Sequence, residues 1–377
     1  MIEVQDIFRA YEEEYPRTHG MSAQQKKVFH DISNCRTERM GVHADVCPSC
    51  GYAKPSYNSC RNRHCPKCQF FAKERWIENQ SFDLLNTRYF HVVFSIPQEL
   101  HPLAYQNQRA VYTLLLRAAA QTLLELSADK KFLGAQIGCT TVLHTWGQNL
   151  MFHPHVHCIV TGGGLSPGGR WIQSRRKFFL PVKVLSRKFR GKFLAMLKRE
   201  TLHFYGSAAY LSDKDMFQAL LDDCYSKEWI AYCKPPFKDA SCVVNYIGRY
   251  THRVAISNNR ILSFENGMVA FKWRDYRDGS RWKVMSVDAA EFIRRFLTHV
   301  LPKGFMKIRH YGILGNRGKS QRLLTCKRLT HTPLQAKKTL PTPELLKKIM
   351  GTDITLCPKC GAARMIHQPY RSPPYVA

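Results

Sequence analysis

Two Cys-x-x-Cys pairs carry the clearest chemistry in the sequence: Cys47 with Cys50, and Cys65 with Cys68. The residues between them, 51–64, give the spacing of a zinc ribbon, in which four thiolates close a tetrahedron round one ion. A metal bound in this way organises a segment too small to bury a core of its own. Four further donors lie in the same stretch: Cys35, His43, Cys60 and His64. They read as a second, interleaved Cys2His2 site, so one or two structural Zn2+ ions are expected. Spacing alone does not fix how the eight donors divide. Cys357 and Cys360 form a half-knuckle that cannot close a tetrahedral site alone. Either His367 or a partner completes it, or it is an unliganded turn. Arg61, Arg63, Lys67, Lys73 and Arg75, with Tyr57, Phe70 and Trp76, lie among these ligands. Basic and aromatic side chains on a metal-braced platform suit contact with a DNA backbone and stacking on bases.

A second constellation lies further along. In HPHVHCIVTGGG, His155 and His157 flank Val156. On a strand the two imidazoles share one face while Val156 turns to the core, so the pair can hold one divalent ion. Gln148 is the first choice for a third ligand and His144 the second. In DASCVVNYIGRYTHR, Tyr246 and Tyr250 stand one helical turn apart, with Arg249, His252 and Arg253 around them. The tyrosines either belong to a core stripe with Val243 and Ile247 or act as nucleophiles. In the second case Arg249 and Arg253 hold flanking phosphates, and the ion polarises the scissile one.

The chain as a whole supports a polyanionic partner. Its 377 residues carry 57 Lys and Arg against 28 Asp and Glu, a net charge of +29. The apolar fraction of 44% excludes wholesale disorder. No apolar run is long enough for a membrane span, and MIEVQDIFRAYEEEY lacks the apolar stretch of a signal peptide. Without an export signal, the clustered members of the 14 cysteines point to metal rather than to disulfides.

Periodicity predicts the elements that position these groups. Residues 1–30 form an N-terminal helical segment, and 31–78 form the zinc-binding, DNA-contacting module. Arg88 to Pro97 is a strand, and Pro102 to Ser127 a single long helix. Two strands follow, turning near Phe152 to Pro154, and then a surface loop from Gly162 to Arg170. KFFLPV is a short strand. Helices run from Ser186 to Gly206 and from Asp213 to Glu228, and WIAYCKPPF is a strand. A helix over Asp239 to Arg253 and a hairpin about Asn266 and Gly267 come next. Residues 368–377 read as a disordered tail. The fold class is α+β, with one α+β domain following the metal module.

HPHVHCIVTGGG followed by YIGRYTHRVAISNNRI resembles the HUH nucleases, with their His-hydrophobic-His strand and tyrosine helix. YNSCRNRHCPKC before it and RHYGILGNR after it narrow the match. The combination resembles the rolling-circle, two-tyrosine transposases of the insertion-sequence ninety-one family over nearly the whole chain. This resemblance implies an antiparallel HUH sheet flanked by helices across residues 79–300, followed by a basic C-terminal region, 301–377. It implies single-strand DNA cleavage and strand transfer through 5′-phosphotyrosines on Tyr246 and Tyr250, with Mg2+ or Mn2+ at His155, His157 and Gln148. The partners implied are single-stranded DNA at element ends and target, a host helicase and the replication machinery, in a bacterial cytoplasm at the nucleoid. No nucleotide cofactor is implied, and the sequence has no phosphate-binding G-x-x-x-x-G-K-[ST] loop. Two alternatives stand beside it: a plasmid replication initiator or relaxase of the same chemistry, and a non-catalytic zinc DNA-binding regulator.

Overall fold

The computed structural model describes residues 1–175, 180–234, 237, 243, 246, 248, 254–276, 278–334 and 339–369. In chain order, the first elements are α1 (Val4–Ala10), α2 (Glu14–Thr18), α3 (Ala23–Ser33), β1 (Val42–Val46), β2 (Ala53–Tyr57) and α4 (Pro66–Ser81). Then come β3 (Tyr89–Ser95), α5 (His101–Gln106), α6 (Gln108–Ala128), β4 (Gln136–Trp146), β5 (Phe152–Leu165) and β6 (Trp171–Gln173). They continue with α7 (Val182–Leu197), α8 (Lys214–Ser226), β7 (Ala231–Lys234), β8 (Ile261–Glu265), β9 (Met268–Asp275) and β10 (Arg281–Asp288). The last are α9 (Ala289–Thr298), β11 (Ile308–Gly312), α10 (Lys319–Leu329), α11 (Thr342–Met350) and β12 (Ile366–Pro369). Helices and antiparallel sheets are mixed, an α+β architecture. No helix among the described residues is long and apolar enough to cross a membrane.

The chain forms two compact units. The first takes the described residues of Met1–Asn79, His252–Val300 and Lys337–Ala377. Its aromatic core joins α1, α3 and α9: Phe8 stacks on Phe29 at 5.0 Å and meets Phe296 edge-on at 5.2 Å. Each helix starts on a residue able to satisfy its free amides. Ser22 and Gln25 form a reciprocal capping box at α3, and the Asp288 carboxylate accepts from Ala290 and Glu291 at α9. This unit carries two three-stranded sheets, β12-β1-β2 and β10-β9-β8.

The second unit takes the described residues of Gln80–Thr251 and Leu301–Ala336. Its antiparallel sheet runs β11-β4-β5-β3-β7, with β6 paired to β5. The histidine strand β5 is therefore central. One face bears Phe90, Val92, Phe94, Leu143, Val156, Cys158 and Val160, all buried in the main core with Leu115, Leu123, Phe189 and Phe193 of α6 and α7. Strand alternation sends the intervening residues to the other face, where polar groups collect.

Several elements differ from sequence expectation. Residues 1–30 break into three helices rather than one segment. The helix expected over Pro102 to Ser127 divides at Asn107. That buried side chain donates to the His203 carbonyl at 2.8 Å and accepts from the His203 amide at 2.8 Å, and it also donates back to the Leu103 carbonyl at 3.2 Å, so it ties the end of α5 to a distant segment. The helix expected to reach Gly206 stops at Leu197, and β10, rich in exposed residues, was not expected. Gln368 and Pro369 lie in β12 rather than in a free tail. The turn between β4 and β5 spans residues 147–151 instead of Phe152 to Pro154. Half of KFFLPV (177–179) and most of the helix over Asp239 to Arg253 lie outside the described residues, although Val243, Tyr246 and Gly248 are helical.

The Gly162–Gly164 run is strand, not surface loop. These residues lack a side chain because the neighbouring strands leave no room for one. A Cβ on Gly164 would sit 2.5 Å from the Gln136 carbonyl oxygen, whereas one on Gly168, in the loop beyond, would meet nothing within 4 Å. Gly164→Ala is expected to cost about 3 kcal/mol in urea denaturation, and Gly168→Ala to leave the midpoint within about 0.5 kcal/mol of the parent.

Candidate functional site

Cross-strand register assembles the histidines. On β4 and β5, His144 stands directly opposite His155, and Val142 opposite His157. On β3, Val93 faces His157 and Ser95 faces His155. His144, His155 and His157 thus share the polar face, and one ligating atom from each lies within 4.8 Å of the others. The Nε2 atoms of His155 and His157 are 3.1 Å apart. Two donors about 2.1 Å from a common octahedral ion stand about 3.0 Å apart, so the pair fits one divalent cation. The His155 Nδ1 donates to the His153 carbonyl at 2.7 Å, which turns its Nε2 inward as the ligand atom. Gln148, expected as the third ligand, lies in the turn after β4, while the register puts His144 beside the pair.

Behind this triad stands a residue that sequence reasoning missed. His91 on β3 is buried, and its Nε2 lies 2.8 Å from Nδ1 of His157. Its Nδ1 lies 3.0 Å from the Tyr246 hydroxyl. Burial, with the charges of Lys234 and His155 adding to it, pushes the His91 pKa down to about 3, so the ring is neutral. The Lys234 ammonium donates to the Tyr246 oxygen at 3.4 Å. A phenol, a neutral imidazole and a candidate metal ligand therefore form one hydrogen-bonded series. The signal in the sequence was a single histidine in the apolar run RYFHVVFS. Only the register, which puts His91 opposite Lys234 and Ile159, reveals its face. Tyr250, Arg249 and Arg253 lie outside the described residues.

The thiols form two tetrads. Cys35, Cys60, Cys65 and Cys68 make one, with sulfur separations of 3.6 to 3.8 Å. Cys47, Cys50, Cys357 and Cys360 make the other, with Cys47 3.6 Å from Cys360 and Cys50 3.7 Å from Cys357. Thiolates 2.3 Å from a central Zn2+ stand about 3.8 Å apart, so both tetrads fit tetrahedral zinc.

This grouping departs from the one that spacing suggested. Cys47-Pro-Ser-Cys-Gly51 and Cys357-Pro-Lys-Cys-Gly361 are matching knuckles. In each, the glycine has positive φ and its amide donates to the first cysteine's carbonyl. Pairing of β12 with β1 brings them together. Cys65 and Cys68 instead sit at the start of α4, where Cys35 and Cys60 reach them.

The other expected residues are scattered. His64 lies outside both tetrads, its amide held by the Asn62 side chain at 2.9 Å. His43 sits on β1 beside Asp45 and His367. Arg61 is exposed, and burial lowers the pKa of Arg63. Lys67 pairs with Glu3 and donates to the Gln5 side chain at 2.6 Å, so its charge is engaged within the protein.

Comparison with known proteins identifies the family. Residues 7–96 match the transposase zinc-binding domain Zn_Tnp_IS91, and residues 138–322 match Y2_Tnp, described as "Putative transposase". The chain is 47% identical over 374 residues to "Putative transposase y4qJ" of Sinorhizobium fredii, covering 97% of this chain and 94% of that protein. It is 29% identical over 344 residues to the "Transposase for insertion sequence element IS801" of Pseudomonas savastanoi pv. phaseolicola, covering 88% and 80% respectively. No solved structure matches it. The chain belongs to the IS91 family of transposases and carries that family's zinc-binding domain.

Metal analysis of the purified protein should find two tightly held zinc ions. Replacing Cys357 and Cys360 together by serine should remove one of them, as should replacing Cys47 and Cys50. Loss of both ions from the C-terminal variant, or of neither, would contradict the grouping.

Proposed function

We propose that this transposase cuts and rejoins single-stranded DNA through a tyrosine covalently linked to a 5′ phosphate. The observation that carries this reading is the placement of the Tyr246 hydroxyl 3.0 Å from His91, itself 2.8 Å from the candidate metal ligand His157. The phenol and the candidate cation site are thus linked through His91 at one face of one sheet.

The phenol oxygen of Tyr246 attacks the scissile phosphorus, and the bond from phosphorus to the 3′ oxygen breaks. The 5′ phosphate is then ester-linked to Tyr246, and the departing 3′ oxygen gains the proton that balances the one lost by the phenol. An Mg2+ or Mn2+ ion held by His144, His155 and His157 would supply charge stabilisation at the phosphate. Lys234, donating to the phenol oxygen, favours the phenolate. His91 fixes the direction of the hydroxyl. In the tautomer where Nδ1 of His157 donates to His91, the His157 Nε2 faces the ion. Rejoining reverses the chemistry: a 3′ hydroxyl attacks the phosphotyrosine, so the bond energy is retained and no nucleotide is consumed. Tyr250 would provide the second nucleophile, with Arg249 and Arg253 holding phosphates. Unwinding would fall to a host helicase, acting with the replication machinery at the bacterial nucleoid. The basic chain, at +29, supports a DNA partner, as do the relatives named transposases.

The test uses labelled single-stranded oligonucleotides spanning the ends of the element, with Mg2+ or Mn2+. Wild type should yield a protein–DNA adduct stable to denaturation. Tyr246→Phe together with Tyr250→Phe should lower cleavage at least 1,000-fold with DNA binding retained (about 4 kcal/mol in the barrier). His91→Ala should slow cleavage about 10- to 100-fold. Undiminished adduct formation by the double variant would overturn the assignment. Binding without cleavage by wild type on every end would favour a DNA-binding regulator.

A further inference from the structure

One cluster of metal-ligating side chains belongs neither to the thiol tetrads nor to the histidine triad. On β1, His43 and Asp45 are two residues apart and so share a face of the strand. The antiparallel partner β12 sets His367 directly opposite Asp45, with Pro369 opposite His43. Donor atoms from all three residues lie within 4.8 Å of one another. The His367 Nδ1 is 2.8 Å from the Asp45 carboxylate. The His43 and His367 ring centroids are 3.3 Å apart, at an interplanar angle of 53°. Two imidazoles and one carboxylate therefore converge on one spot at the surface of the sheet, with donor atoms close enough to share a single ion.

We propose that His43, Asp45 and His367 form a third metal site, which takes a divalent transition ion such as Zn2+ at the surface of the β12-β1-β2 sheet. Two imidazoles and one carboxylate suit a borderline transition ion, for which imidazole is a common ligand. Three protein ligands leave coordination positions for water. The His367 side chain is 62% exposed. The ion therefore exchanges readily, unlike one enclosed by four thiolates. Its ligands come from strands more than 300 residues apart in sequence. Occupancy thus adds a second bond between the N-terminal zinc module and the C-terminal segment, just beyond the Cys47, Cys50, Cys357 and Cys360 tetrad.

Equilibrium dialysis of the zinc-loaded, full-length protein against micromolar Co2+ tests this directly. Wild type should take up one more Co2+ than His367→Ala, while both keep their tightly bound zinc. The His144, His155 and His157 triad also competes for Co2+, so the difference is measured again in a His157→Ala background, where the same one-ion gap should persist. The extra Co2+ should show the weak visible absorption of nitrogen and oxygen ligation, without the strong near-ultraviolet band of thiolate ligation. Asp45→Asn keeps an oxygen acceptor for His367 but loses the negative charge, and should weaken Co2+ uptake at least 10-fold. Equal uptake by wild type, His367→Ala and Asp45→Asn would show only a hydrogen-bonded pair across two strands, and the proposal would fall.

Discussion

The register between β3, β5 and β4 is the constraint on which the candidate active site depends. Side chains on a strand alternate with a period of two, so a slip of one residue would move every histidine into the apolar core. The register is held because the opposite face is densely packed: Val92, Phe94, Leu143 and Val156 are almost wholly buried. Burial of that face costs nothing in polar satisfaction and fixes where His91, His144, His155 and His157 must point. The apolar side of the sheet thus determines the geometry of its polar side.

This dependence also explains the environment of His91. A buried imidazole without partners would be costly, but this one is bonded at both nitrogens, to His157 and to Tyr246. Its neutrality matters as much as its position, because a second cation there would repel a metal ion two bonds further along the series. The site combines a fixed ring, a phenol and a nearby ammonium.

Local patterns made much of this legible in the sequence. Val156 turns inward between two outward histidines because alternation dictates it, and α8 begins after Asp213 because that carboxylate satisfies its first amides. What escaped was either non-local or concealed by composition. Gly162 to Gly164 resembles a loop by content, yet is a strand because its neighbours press close. The Cys47 and Cys50 pair joins Cys357 and Cys360 through strand pairing between opposite ends of the chain, which spacing within one segment cannot reveal. The repeated pattern Cys-Pro-x-Cys-Gly was the available clue. His91 was hidden because one histidine in an apolar strand says nothing of its face until the neighbouring strands are placed. The tyrosine helix was read from its spacing, and of its two phenols the structure describes only Tyr246.

The knuckle at Cys357 and Cys360 also affects how the molecule is made. Half the donors for the metal beside β1 are synthesised more than 300 residues after the other half. Until then Cys47 and Cys50 are an open pair, able to hold an ion only loosely, and closing so long a loop carries a large entropic cost. Closure of that metal centre thus waits on residues far along the chain, and a chain cut short before Cys357 would leave the zinc-binding domain without one of its braces.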